Sequence, residues 1–207
     1  MIARAIRTIR SEAGLSLAEL MVAVAILLVV LVTFLTVLYS VNTGVQIQRE
    51  RSVANDQARL AVERLDREVR SGNVLYDPSA ETLANYSFRL YTQANYPTRS
   101  EMRCVQWQIN TSDQLVRRSW PQGEPDEVTV WAVEADEIVN RSVSPTVPAF
   151  VLDTDPVKAG RTVDVTFMVD VDPADSMQRT VKIQTSLTGR NTSYGYPTDS
   201  CSPIPAG

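Results

Sequence analysis

A single carboxylate, Glu19, lies at the N-terminal edge of the most apolar stretch of the chain. The stretch reads GLSLAELMVAVAILLVVLV from Gly14 to Val32, and no charged residue occurs from Met21 to Val41. A charged side chain at the mouth of a membrane-spanning helix costs free energy, so it is usually kept for a function. Glu19 is therefore the first candidate functional residue, and ion pairing is the chemistry open to it.

Other reactive side chains are few. The chain has two cysteines, Cys104 and Cys201, and no histidine. The lack of histidine excludes histidine-based catalysis, and two cysteines alone make a poor zinc site. We therefore expect no enzymatic activity and no cofactor. The carboxylates of Asp170, Asp172 and Asp175 in VDVDPADS are compatible with a calcium site, but the loop lacks the full ligand pattern and an acidic turn is the simpler interpretation.

The apolar stretch is long enough to cross a membrane once. At about 1.5 Å per residue, Met21–Val41 spans about 30 Å, the thickness of the hydrocarbon core of a bilayer. The preceding residues, MIARAIRTIRSEAG, carry three arginines and one glutamate, and this positive charge favours a cytoplasmic N-terminus. Everything after the span is then outside. A secretory signal cleaved near YSVNTG is the weaker alternative, because the sequence continues there into more helix.

The predicted exterior part is acidic. The chain has a net charge of -4 and its first 14 residues carry +2, so the remainder carries -6. This charge disfavours nucleic acid as a partner. In an oxidising exterior space, a disulfide between Cys104 and Cys201 is the natural prediction, with two unpaired thiols as the alternative.

A second pattern predicts how the exterior part folds. Apolar residues recur at helical spacing between Val53 and Val69, and no proline occurs from Leu15 to Gly72, so one helix is expected through both segments. Beyond Pro78, short runs alternate apolar and polar residues, which is typical of an antiparallel sheet that the helix stripe could cover. The runs are YSFRLY, RCVQWQI, QLVRRSW, VTVWAV, FVLD, TVDVTFMVDV and RTVKIQTSL, and the turn residues at NTSD and DPADSM predict two hairpins. The predicted class is α+β. The predicted segments are a leader (1–14), a membrane helix (15–45), an amphipathic helix (46–73) and a β-rich domain (74–207).

The basic leader, Gly14, Glu19 at the fifth position after it, and the apolar helix together resemble a type IV prepilin. The resemblance implies a pilin-like fold and cleavage between Gly14 and Leu15 by a prepilin peptidase. It also implies methylation of the new amine on Leu15, and a role for Glu19 in assembly. The family usually has phenylalanine after the cleavage point and often a proline in the membrane segment, and this chain has neither.

The segment VANDQARLAVERLDREVRSGNVLYD and the β-rich domain are similar to PilW-like minor pilins and to J-type minor pseudopilins of type II secretion. This resemblance implies a structural subunit that helps to initiate, cap or modify a filament. Its expected partners are other pilins or pseudopilins, the inner-membrane assembly platform and, before assembly, membrane lipid. The alternative is a tip-located adhesin or DNA-capturing module, with Trp107, Trp120 and Trp131 as candidate contacts, although burial in a small sheet is the simpler interpretation of these tryptophans. The sequence leaves open whether the filament serves a pilus, secretion or DNA uptake.

Overall fold

The computed structural model describes residues 16–93, 102–153, 160–171, 179–190 and 195–206. The chain divides into two compact units, residues 1–46 and 47–207. The described part of the first unit is helical, and the second combines helix with antiparallel strands. The predicted α+β class is confirmed at this level.

Helix α1 runs from Leu17 to Arg70. The segment is rich in leucine and alanine, which favour a helix, and it lacks proline, so the helix can continue uninterrupted even though valine is a weaker helix former. The amphipathic helix was predicted to reach residue 73, but α1 ends at Arg70 and Gly72 opens the first strand. A side chain is excluded there, because a Cβ on Gly72 would lie 2.9 Å from the carbonyl oxygen of Val69 and 3.0 Å from Cδ2 of Leu75.

In the described part of the chain, eight strands follow, interrupted by two short 3-10 turns at Pro78–Ala80 and Pro125–Glu127. A single sheet was predicted, but the strands form two sheets, which have the orders β1-β2-β3-β4-β5 and β6-β7-β8. An isolated bridge between Ile138 and Val169 connects the two sheets. The strands are β1 (Gly72–Leu75), β2 (Ser87–Thr92), β3 (Arg103–Ile109), β4 (Leu115–Pro121), β5 (Ala132–Ala135), β6 (Phe150–Leu152), β7 (Thr162–Asp170) and β8 (Thr180–Thr188).

All strand pairs are antiparallel, and the two predicted hairpins are present. In the β3–β4 hairpin, the side chain of Asn110 accepts hydrogen bonds from the backbone N–H groups of Ser112 and Gln114. This Asx-type turn reverses the chain over NTSD, as its composition predicted. The β7–β8 hairpin pairs nine residues on each strand, from Thr162 opposite Thr188 to Asp170 opposite Thr180.

The apolar stripe of α1 belongs to the main core of the second unit. Ala58 and Leu65 are fully buried, together with residues from both sheets, among them Trp107, Phe150 and Phe167. The phenylalanine rings of this core contact one another. Phe150 stacks on Phe88 and makes an edge-to-face contact with Phe167. Val53, which was counted in the stripe, is 48% exposed. The stripe therefore begins one residue later, at Ala54.

Candidate functional site

The first candidate site is the N-terminal turn of α1, where Glu19 lies. Ser16 precedes the helix, and its Oγ accepts a hydrogen bond from the backbone N–H of Glu19 at 3.2 Å. This is one half of a capping box, in which a serine caps the helix and a glutamate occupies the third helical position. The carboxylate also lies at the positive end of the helix dipole. Gly14 and Leu15, the predicted processing residues, lie outside the described residues.

The capping arrangement had a clear sequence signal that the motif analysis did not use. The four residues SLAE, from Ser16 to Glu19, fit the pattern of serine followed three residues later by glutamate, immediately before an apolar run. Glu19 therefore has a local structural role in addition to any role in ion pairing. An experiment on Glu19 has to separate the two.

The described part of the first unit, residues 16–46, has a mostly apolar surface. Every residue from Ser16 to Gln46 is exposed, including Leu27 and Phe34 at 64% and 62%. Within this stretch, threonine hydroxyls donate hydrogen bonds to backbone carbonyl oxygens of the preceding turn. The hydroxyl of Thr33 donates to Val30 at 2.8 Å, and the hydroxyl of Thr36 donates to Val32 at 2.8 Å. Threonine hydroxyls that are satisfied in this way can be transferred into an apolar medium at little cost.

By length and composition, α1 can cross a membrane. Among the described residues it is the one helix that meets both conditions, and the share of its most apolar window that is buried within the protein is 0%. A helix of this kind near an N-terminus is also compatible with a signal sequence. Within the ranges that the structure describes, no other part of the protein covers this apolar surface.

The second unit contains a buried carboxylate that the sequence analysis missed. Glu68, on α1, is fully buried and accepts hydrogen bonds from Trp107 Nε1 at 2.7 Å and Arg117 Nε at 2.8 Å. Arg117 Nη2 lies 2.7 Å from the same carboxylate, and Arg64 contributes a longer contact of 4.0 Å. Strands β3 and β4 supply Trp107 and Arg117, so these contacts attach α1 to the first sheet by directional bonds.

Burial and pairing have opposite effects on the ionisation of Glu68. Burial raises the pKa of the Glu68 carboxyl above its ordinary value of 4.5, while the charge and hydrogen bonds of Arg117 oppose that rise. Glu68 could not have been recognised from the helical pattern, because it lies between Arg67 and Val69 at the border of the apolar stripe. Only the pairing of β3 with β4, which places Trp107 opposite Arg117, shows what Glu68 contacts.

The predicted disulfide is confirmed. Cys104 and Cys201 are bonded, both are buried, and they share a second cluster with Tyr91 and Trp120 on the other face of the first sheet. The disulfide also has hydrogen-bonded support, since the N–H of Cys201 donates to the hydroxyl of Tyr76 at 3.0 Å. The described tail, residues 195–206, is thus fixed to the domain at Cys201.

Two arginines reinforce the attachment of the tail. Arg89 Nη1 donates to the carbonyl oxygen of Cys201 at 3.0 Å, and its Nε donates to Glu81 at 3.1 Å. Arg118 donates to the carbonyl oxygens of Pro205 and Ala206 at 2.9 and 3.1 Å. Burial lowers the pKa of Arg118, which is 5% exposed. Backbone carbonyls therefore solvate a buried guanidinium, and this gives the tail a defined path.

The structure gives little support to the other two candidate sites, the acidic turn considered for calcium and the three tryptophans. Asp170 is 5% exposed, whereas Asp172 and Asp175 lie outside the described residues. Within the described ranges, no group of three potential ligands is placed to hold a metal ion. Two of the candidate tryptophans, Trp107 and Trp120, are buried in the two cores. The third, Trp131, is half-buried, and the guanidinium of Arg118 lies 4.4 Å from the centroid of its ring.

Comparison with known proteins leaves the chain without a recognised relative: no protein-family model, no curated protein and no solved structure matches it.

Proposed function

We propose that the protein is a minor pilin-like or pseudopilin-like subunit, which is stored in a membrane and then assembled into a filament. The observation that carries the proposal is the uncovered apolar surface of α1 from Leu17 to Val45. A surface of this kind needs an apolar environment, and either lipid or the apolar helices of other subunits can provide it. A filament subunit uses both in turn.

The residues around this surface favour a pilin-like subunit over a simple anchor. Glu19 lies in the first turn of the helix, where it can approach a free amine if the chain is cut after Gly14. The three arginines of the leader favour a cytoplasmic N-terminus, and the disulfide between Cys104 and Cys201 fits an oxidising exterior. On this proposal a prepilin peptidase cleaves and methylates the chain at Leu15, and the second unit lies outside the inner membrane.

The amine on Leu15 and the carboxylate of Glu19 form the proposed assembly contact. A charged amine in a low-dielectric environment needs a compensating negative charge. Glu19 could neutralise the amine of its own chain or that of a neighbouring subunit. Parallel helices can be offset along their axes in many ways, but only some offsets bring the carboxylate of Glu19 to the amine of a neighbouring subunit. The ion pair would therefore select the offset at which subunits assemble.

The test separates this pairing from the capping role of Glu19. Glutamine serves in a capping box as glutamate does, but it cannot neutralise an amine. Glu19→Gln and Glu19→Ala should therefore both lower the amount of subunit in sheared filaments relative to the membrane fraction. Ser16→Ala removes the capping hydroxyl and keeps the carboxylate, so this control should incorporate normally.

The outcomes distinguish the two roles of Glu19. Normal incorporation of Glu19→Gln together with a loss in Ser16→Ala would assign the residue to capping and contradict the pairing. Intact-mass analysis of each variant shows whether cleavage is preserved, since uncut protein would fail to assemble for another reason.

A further inference from the structure

One edge of the first sheet is apolar and open to solvent. Val130 is 87% exposed and Val133, on the edge strand β5, is 51% exposed. The backbone here already follows β4 on one side, because the N–H of Thr129 donates to the carbonyl oxygen of Ser119 at 2.9 Å. On the other side, no strand among the described residues is paired with β5. Exposed apolar edges of this kind are templates for strand addition.

Acidic residues flank this edge on both sides. The segment 124–137, EPDEVTVWAVEADE, carries six carboxylates and no basic residue, and we call it the acidic edge. Glu124, Asp126 and Glu127 are exposed at its beginning. If the acidic edges of two copies met, like charges would face one another, which opposes a symmetric pairing of this edge with itself.

The second sheet ends in a strand of opposite charge. Residues 179–190, RTVKIQTSLTGR, carry three basic residues and no acidic one, and we call them the basic edge. Arg179, Lys182 and Arg190 are all exposed, and Val181 is 41% exposed. Strand β8 is paired with β7 alone among the described strands. Two basic edges would also repel one another.

Length further favours β8 as the partner strand. The other two edge strands, β1 and β6, have four and three residues, whereas β8 has nine. A depression of about 370 Å³ lies beside the acidic edge and is lined by Pro125, Val128, Ile204 and neighbouring residues. It offers space for an apolar side chain of an incoming strand.

We propose that the acidic edge of one copy of the protein binds the basic edge of a second copy, so that β8 extends the first sheet of its neighbour. The two surfaces are different, so the contact is head-to-tail and leaves one free edge of each kind for further copies. The proposal concerns the second unit alone. It goes beyond the proposed function and does not depend on cleavage at Gly14.

Site-specific cross-linking of the full-length protein in detergent tests the contact. Two differently tagged copies, one with Val133→Cys and one with Val181→Cys, are mixed and oxidised, and the mixed disulfide is quantified. Val151→Cys is the matched control, since Val151 lies on β6 and is 45% exposed. Each variant should show one reactive thiol before oxidation, which confirms that Cys104 and Cys201 remain bonded.

We expect the pair Val133→Cys with Val181→Cys to cross-link several times more than Val133→Cys with Val151→Cys. Lys182→Glu should lower this cross-linking about threefold, because it places a carboxylate against the carboxylates of the acidic edge. Either of two results would overturn the proposal: cross-linking of Val133→Cys with itself at an equal level, or no excess over the control. Cross-linking that is insensitive to Lys182→Glu would overturn the assigned charge pairing.

Discussion

The N-terminal and C-terminal parts of α1 have the same backbone conformation, but their side chains have different environments. From Leu17 to Gln46 every residue is exposed, whereas from Ile47 to Arg70 a stripe of residues, including Ala58 and Leu65, is buried in the core of the second unit. The C-terminal part obtains its stability from the protein's own strands. Among the described residues, nothing covers the N-terminal part. In the function proposed above, lipid or other subunits cover it.

This difference shows that helix formation and burial are separate properties of a sequence. The N-terminal part is helical because its leucines and alanines favour a helix and it lacks proline. The hydroxyls of Thr33, Thr36 and Thr43 do not interrupt the helix, because each donates to a carbonyl oxygen of the preceding turn. The C-terminal part adds charged residues on one side, and the ion pair of Asp66 with Arg70 at 2.7 Å is an example. Variants that affect one part and spare the other can test this division.

The largest effect is expected from the disulfide, which belongs to the second unit alone. Replacing Cys104 and Cys201 together by alanine opens a loop of 97 residues in the unfolded chain. On the chain-entropy model this lowers the free energy of unfolding by about 4 kcal/mol. Denaturant unfolding in detergent measures the loss, and partition of the chain into membranes should not change. A loss below about 1 kcal/mol would show that the tail is held by other contacts.

A pair of leucines on α1 gives the next effect. Leu65→Ala should destabilise the second unit by about 3 kcal/mol, because Leu65 is fully buried and its loss leaves a cavity. Leu60 is 64% exposed, so Leu60→Ala should change the free energy of unfolding by less than about 0.5 kcal/mol. The same denaturant titration compares the two variants. Equal losses would mean that the stripe of α1 has been assigned to the wrong face.

Glu68 gives a smaller effect that depends on pH. Burial raises the pKa of Glu68 in the folded protein, so folding favours its protonated form. The contribution of Glu68 to the free energy of unfolding is complete at pH values below its unfolded-state pKa, which is near 4.5. This contribution decreases as the pH rises through the pKa of Glu68 in the folded protein. The stability of the native protein relative to Glu68→Gln should therefore fall with rising pH.

Glu63→Gln is the control for this pH dependence, because Glu63 is an exposed residue of the same helix. Free energies of unfolding of the three proteins, measured across acidic to neutral pH, isolate the contribution of Glu68. If the native protein instead gained stability relative to Glu68→Gln as the pH rises, the pairing with Arg117 would outweigh burial, and the stated direction would be wrong.

Much of the second unit was predictable because its strands follow local rules. The run RCVQWQI coincides with β3. The runs predicted around β2, β4 and β8 are displaced from the observed strands by one residue at both ends, and the run around β7 is one residue too long. The run VTVWAV, residues 128–133, is different: β5 begins only at Ala132 and ends at Ala135, and its pairing with β4 shifts register between Leu115 and Val116. No alternation pattern reports such an irregularity.

Features that depend on contacts distant in sequence were not predictable. The division into two sheets depends on which strands pair, and the buried carboxylate of Glu68 depends on residues 39 and 49 positions away. The disulfide was predictable because the chain has two cysteines and a proposed oxidising location. The capping of α1 by Ser16 was also visible in the sequence, since it depends on residues three apart.

The central claim is that the apolar part of α1 belongs to a processed, pilin-like subunit. The most direct test is the intact mass of the protein extracted from membranes of a host that has a prepilin peptidase, with Gly14→Val as the uncleaved control. The account predicts a chain that begins at Leu15 and carries one added methyl group, and a full-length precursor for Gly14→Val. A native protein that still begins at Met1 in that host would contradict the account.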